Sequence, residues 1–325
     1  MRRAERGAAL LVAMLIVTLV ATFAAAALWQ QWRTVEVEAA ERSRMQAGWV
    51  LTGALDWSRL IIREDSRTGG ADHLAEPWAV PLQEARLSTF LAADRNADTS
   101  GAADDTFLSG SITDAQGLLN LANLVEGGSL SRTGMRSFQR LFALLGLPQS
   151  QLQQLAENMR LANDISTDNQ SASQAPLMPQ RADQMAWLGV SPATVTALLP
   201  YVTILPIGRT AINLNTAPAE VIYAAVDGLT LAEAQEMVAR RAQAPFRTRQ
   251  EATQLMPQHT AALNEGTVDV ATRFFEVRGR LRIDRMVIEE RSLLQRDGLD
   301  VKTVWRERGV VDPSSVAQAQ AQGNR

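Results

Sequence analysis

Four oxygen-bearing side chains stand at Asp94, Asn96, Asp98 and Asp105, inside the polar run ADRNADTSGAADD from Ala93 to Asp105. These are positions 1, 3, 5 and 12 of a calcium-loop spacing, where alternate side chains turn inward around a hard cation. Thr99 occupies the position that wants glycine, and Asp105 replaces the longer bidentate Glu. A solvated acidic turn is the competing reading. A second polar stretch, NDISTDNQSASQAPLMP from Asn163 to Pro179, offers Asp164, Asp168 and Asn169 as further oxygen donors. Nothing points to catalysis. There is no G-x-S-x-G, H-E-x-x-H, Walker loop or G-x-G-x-x-G. Cysteine is absent, so a thiol nucleophile, a disulfide and a cysteine-based zinc site are excluded. Nothing near either of the two histidines, His73 and His259, suggests a Ser-His-Asp site, and each is expected at the surface rather than as a ligand or base. The expectation is a protein that is not an enzyme. A net charge of −3 gives no field for nucleic acid over the whole molecule.

The elements that would position these loops start with an uncharged run, GAALLVAMLIVTLVATFAAAALWQQW, between Gly7 and Arg33. Ala8 to Leu28 is 21 residues, or roughly 31 Å as a helix at about 1.5 Å per residue. That matches a hydrocarbon core of about 30 Å. Past Arg33 the charges return on one face, while Val50, Leu51, Ala54, Leu55, Trp57, Ile61 and Ile62 form a stripe of helical period. One helix from Ala8 to Ile62 is predicted, greasy all round at first and then amphipathic, with its stripe mostly in the core. Three readings fit the terminus. It is a signal anchor held by Arg2, Arg3 and Arg6, a secretory signal cut after Ala24 to Ala27, or a leader cut after Gly7. The third is similar to the pattern of type IV pilins and pseudopilins: a short basic leader ending in Gly before a spanning helix. Most such proteins carry Glu at the fifth residue after the cut; here Val12 stands there.

Farther on, Asp65 to Gly70 reads as a turn and Leu82 to Leu91 as a helix. Phe107 to Thr113 alternates like a strand. From about Leu130 to Leu263 the pattern is helical with short turns, including a helix capped by Ser131. Phe274 to Ile283, Met286 to Leu294 and Lys302 to Arg308 then alternate again, with turns placed at Gly279, Asp284 and Arg296-Asp297-Gly298. The predicted class is α+β: a long N-terminal helix packed on an antiparallel sheet, with an all-helical domain inserted at 125–265. The pilin-like parts are 63–124 and 266–309, and 310–325 is expected to be a disordered tail.

The leader ending at Gly7, ITDAQGLLNLANL from Ile112 to Leu124, PYVTILP from Pro200, INLNTAPAEVI from Ile212 and RSLLQRDG from Arg291 together carry a likeness. On them the chain resembles the general secretion pathway protein K family, minor pseudopilins of the type II secretion system. The resemblance implies a pilin-like fold, cleavage by prepilin peptidase after Gly7 and N-methylation of Ala8. It implies an inner-membrane span with the C-terminal part in the periplasm. It also implies a place at the pseudopilus tip with minor pseudopilins I and J, and H. Val12 agrees with this member of the pseudopilins, since a first subunit has no neighbour whose amine a carboxylate would meet. The family binds calcium within or near the inserted domain; here Asp164 and Asp168 stand in a shortened loop without the family's tyrosines.

A rival reading comes from Asn213 to Glu251, which also resembles helix-hairpin-helix modules of DNA-binding proteins. Its hairpin, Asp227-Gly228-Leu229-Thr230, lacks the second glycine and is followed by Glu233 and Glu236. Arg240, Arg241, Arg247 and Arg249 are the basic residues nearby. Asp227 would repel a phosphate, so no nucleic acid is expected as a partner.

Overall fold

A computed structural model describes residues 4–91, 106–164, 175–283 and 286–311. The chain forms two compact units, residues 1–53 and 54–325. One helix, α1 (Ala4–Thr68), runs through the first and into the second. In the first unit the run Ala8 to Leu28 is exposed along its whole length. It is long and apolar enough to cross a membrane. Its two hydroxyls are satisfied within the helix, since Thr18 and Thr22 donate to the carbonyls of Leu15 and Leu19 at 2.9 and 2.8 Å.

In the second unit α1 continues to Thr68, six residues beyond the predicted end at Ile62. Gly69 and Gly70, both at positive φ, stop it, so the turn is narrower than Asp65 to Gly70. Leu55 and Ile62 pack with Trp78, Ile112, Phe275, Val277, Leu294 and Val301. Ser58 is buried between them, while Trp57 is 65% exposed. The buried stripe is therefore rotated from the predicted one. Steps of three and four residues from Leu55 define the face that meets the sheet, and Trp57 falls off it.

The sheet has five strands in the order β1-β2-β9-β10-β11. β1 (Leu82–Arg86) pairs antiparallel with β2 (Thr106–Asp114). Leu82 to Leu91 is thus not one helix. Its first half is a strand recruited by β2, and only α2 (Leu87–Leu91) is helical; a non-local partner overrides a locally helical pattern. β2 pairs with β9 (Phe274–Ile283), although most of the chain between Asp114 and Phe274 lies elsewhere. β9 pairs with β10 (Met286–Asp297), and β10 with β11 (Asp300–Val311), closing on a two-residue hairpin at Gly298 and Leu299. Gly279 is not the turn that the sequence pattern predicts. It lies inside β9 opposite Gly110, where a Cβ on Gly110 would meet the Arg278 carbonyl at 2.9 Å. Asp284 lies outside the described residues, as does the tail from 312. On the face away from α1, Arg280 pairs with Glu289 at 2.7 Å and Arg291 with Glu276 at 3.1 Å, a half-buried ladder of opposite charges.

Between β2 and β9 the chain builds a second core, from Leu119 to Val270. It begins earlier than residue 125 because Leu119, Leu121 and Leu124 are drawn into it. Its elements begin with β3 (Leu119–Asn120), β4 (Val125–Glu126), β5 (Ser129–Leu130), α3 (Arg132–Leu144) and α4 (Gln149–Asn163). They continue through α5 (Pro192–Leu198), β6 (Val202–Thr203), β7 (Ile212–Asn213), α6 (Ala219–Ala225), α7 (Leu231–Gln243), α8 (Arg249–Leu255) and β8 (Val268–Asp269). The Ser131 hydroxyl caps α3 by accepting from Gly134 N–H at 3.4 Å. Gly134 is required there, since a Cβ would lie 2.1 Å from the Asn123 carbonyl. The unit has two halves, each closed by a two-residue parallel bridge: β3 with β6, then β7 with β8.

Candidate functional site

Where the sheet hands over to the helical unit, a buried polar network replaces apolar packing. Asp114, the last residue of β2, is enclosed. Its carboxylate accepts from Gln116 N–H at 2.7 Å, from Asn213 Nδ2 at 2.8 Å and from the Thr216 hydroxyl at 2.7 Å. Burial without a facing cation pushes its pKa up, and these hydrogen bonds oppose the rise. Asn213 also donates to the Asp72 carbonyl at 3.0 Å and accepts from Asn215 N–H at 2.9 Å. Asn215 pairs both ways with the backbone of Phe246 at 2.9 Å, imitating a strand partner. Gln116 accepts from Arg273 N–H at 2.7 Å and donates to the Ala211 carbonyl at 3.0 Å. Asn120 accepts from Ala122 and Leu205 N–H, each at 3.0 Å, and donates to the Ile207 carbonyl at 2.7 Å. Asn213, Asn215, Gln116 and Asn120 each bind backbone from a different segment, and Asp114 binds the side chains of Asn213 and Thr216, which fixes the path of the chain into and out of the unit.

The same network reaches the end of α1. Arg296, at the close of β10, donates to Asp65 at 2.7 Å, to both oxygens of Asp72 at 2.6 and 2.7 Å and to the Thr272 carbonyl at 2.8 Å. Its guanidinium lies 4.9 Å from the Phe275 ring centre. Glu76 completes a group of three carboxylates within 4.8 Å of one another. It accepts from His73 N–H at 2.8 Å and from Trp78 Nε1 at 2.7 Å. Burial and then the charge of Glu76 push Asp65 up; burial pushes Asp72 up against the pull of Arg296. The cation that Asp65 and Asp72 hold is the guanidinium, and the pair of bridges ties α1 to the sheet.

The calcium-spacing residues Asp94, Asn96, Asp98 and Asp105, and also Asp168, lie outside the described residues. Asp164 caps the C-terminal end of α4 and is half-buried. Gly7, Ala8 and Val12 all lie in α1, with Val12 exposed among other apolar side chains. His259 is not a surface residue; it is partly buried and sits 3.2 Å from Glu233.

In the hairpin before α7, Gly228 takes φ 77°, and Asp227 is paired with Arg136 at 2.6 Å. Thr230 and Glu233 form a capping box, and the hydrogen bond from Thr230 N–H leads the causes that lower Glu233 to about 2. Arg241 donates to the Leu214 carbonyl, and burial lowers its pKa to about 10. Arg249 pairs with Glu265 at 2.8 Å, and Arg240 reaches the Ala244 carbonyl at 3.2 Å. Three of the four arginines thus direct donors inside the unit. The expected result is that the chain from residue 29 onward shows no micromolar, salt-sensitive binding to duplex DNA in a fluorescence titration.

A long N-terminal helix packed on an antiparallel sheet, interrupted between β2 and β9 by a helical unit, defines a pilin-like α+β protein with an insertion. Family models described as type II secretion system protein K match residues 117–207 and 212–271; these ranges fall on the two bridged halves. The type II secretion system protein K of Pseudomonas aeruginosa is 27% identical over 300 residues, covering 85% of this chain and 84% of that protein. That of Pectobacterium carotovorum is 25% identical over 337 residues, covering 95% and 98%. Over most of its length the chain is thus similar to the type II secretion system protein K family. A solved GspK–GspI–GspJ complex from the enterotoxigenic Escherichia coli type 2 secretion system contains a chain of the same fold, with TM-score 0.59 and 17% identity. The match covers 83% of this chain and 98% of that one.

The polar junction is what sequence reasoning missed. Its signal was present: asparagines set among leucines in LLNLANL and INLNT, where a solvated loop would have fewer apolar neighbours.

Proposed function

We propose that this chain is a minor pseudopilin of the type II secretion system, placed at the tip of the periplasmic pseudopilus and supporting export of folded proteins across the outer membrane. The likeness to the protein K family carries this reading. The exposed apolar run of α1 supports it, since such a run is stable only in lipid or in a bundle of like helices. The helix holds the subunit in the inner membrane with its C-terminal part in the periplasm. Prepilin peptidase removes residues 1–7, and Ala8 becomes the methylated N-terminus that enters the helical bundle. Val12 leaves no carboxylate to seek a neighbour ahead of it. The helical unit between β2 and β9 occupies the space a further copy would need, so growth stops at this subunit. The role is mechanical, and no catalytic step is assigned to it.

The partners proposed are minor pseudopilins I and J, with H; the solved relative is itself in a complex with GspI and GspJ. Co-expression of the chain from residue 29 onward with the soluble parts of I and J is expected to yield one co-eluting complex in size-exclusion chromatography. A monomer that persists at high concentration with both partners present contradicts the reading. Calcium at Asp94, Asn96, Asp98, Asp105, Asp164 and Asp168 rests on the spacing and the family likeness alone.

A further inference from the structure

The apolar run of α1 ends in an aromatic pair. Trp29 and Trp32 follow Leu28 directly, are 65% and 58% exposed, and have ring centres 5.8 Å apart at 52°. Residues three apart share a helix side, so both indoles point the same way. Arg33 comes next, and acids begin at Glu36. From Ala8 to Trp29 the helix rises roughly 32 Å at about 1.5 Å per residue, against a hydrocarbon core of about 30 Å. An indole has an apolar body and one N–H donor, and it is stable where hydrocarbon meets the carbonyl and phosphate layer. A guanidinium one residue beyond can reach lipid phosphate while its stem stays in the apolar layer.

We infer that Trp29, Trp32 and Arg33 form an interfacial anchor that docks on the phospholipid headgroup layer at the far end of the span and fixes how deep α1 sits. The inference rests on the reading of Ala8 to Leu28 as a membrane span. With the pair seated in one headgroup layer, Ala8 lies at the opposite one, a full bilayer core away. The basic residues Arg2, Arg3 and Arg6 precede it on that side. The anchor also resists withdrawal, because pulling α1 out of the bilayer first drags two indoles from their preferred layer.

The chain has no cysteine, so single cysteines can be scanned from position 9 to position 40 in the full chain. The carrier is a nanodisc of phosphatidylethanolamine and phosphatidylglycerol, and the probe is a water-soluble maleimide. The expected profile is protection through the apolar run and labelling resumed within about one turn of Arg33. With Trp29→Ala and Trp32→Ala together, the step is expected to move or broaden by about three residues or more, one helical turn being about 3.6. Trp29→Tyr with Trp32→Tyr should restore it. A step that stays in place without the indoles overturns the anchor while leaving the span intact. Labelling throughout positions 9 to 28 overturns both the span and the anchor.

Discussion

Arg296→Met is expected to lower the unfolding free energy by about 3 kcal/mol, because it leaves the buried Asp72 and the half-buried Asp65 carboxylates without their cation. Domains of this kind are stable by only about 5–15 kcal/mol, so the loss would be a large part of the total. Asp65, Asp72 and Arg296 side chains are 10%, 3% and 11% exposed, so bulk solvent screens the cluster little. Arg296→Lys should recover only part of the loss. One ammonium cannot reproduce the fork that reaches Asp65, both Asp72 oxygens and the Thr272 carbonyl. Adding Asp65→Asn to Arg296→Met should give some stability back by removing one uncompensated charge. Urea unfolding of the chain from residue 29 onward measures all three. A change under about 1 kcal/mol for Arg296→Met, the size typical of an exposed pair, would contradict the structural role.

Asp114→Ala is expected to cost about 3 kcal/mol or more. It takes their acceptor from two buried donors, Gln116 N–H and Asn213 Nδ2, and from the half-buried Thr216 hydroxyl, and a buried donor costs about 1–3 kcal/mol when unpaired. Asp114→Asn keeps one acceptor but sets an amide N–H₂ group against the Asn213 donor, so it also destabilises. The pH dependence has a definite sign. Burial raises the Asp114 pKa above its ordinary 3.8, so the folded chain holds a proton that the unfolded chain has lost. That contribution is fully present below the unfolded pKa and is lost as pH rises through the folded one. The Asn variant has no such titration. The stability gap between wild type and Asp114→Asn should therefore be widest near pH 4 and narrow as pH increases. A gap that widens with pH would mean the carboxylate is preferentially ionised in the fold.

The sequence disclosed those parts of the structure whose cause is local. A run without charge that matches a bilayer marks the first helix. Ser131 marks the start of α3, and Asp297-Gly298 marks the β10–β11 hairpin; Gly298 indeed takes φ 58°. What stayed hidden depends on distant partners. Leu82 to Arg86 has no strand signal of its own and becomes one because β2 lies beside it. Gly279 looks like punctuation until Gly110 is placed across from it. Trp57 fits the helical stripe as well as Leu55 does, and only the sheet's position decides that Leu55 and Ile62 are covered. Arg296 reads as a turn residue before Asp-Gly, yet its side chain reaches back more than two hundred residues to Asp65 and Asp72. The polar junction is of this kind throughout: its Asn, Asp and Gln side chains gain meaning from groups far away in sequence.

Whether this subunit enters a pseudopilus is decided at its first residues. Intact-mass and N-terminal peptide mass spectrometry of the native protein, taken from membranes of secreting cells, tests it directly. The predicted result is a chain beginning at N-methylated Ala8, with residues 1–7 gone. A chain that still begins at Met1 while secretion proceeds, or one that begins near Leu28, would contradict the placing of this subunit in a pseudopilus.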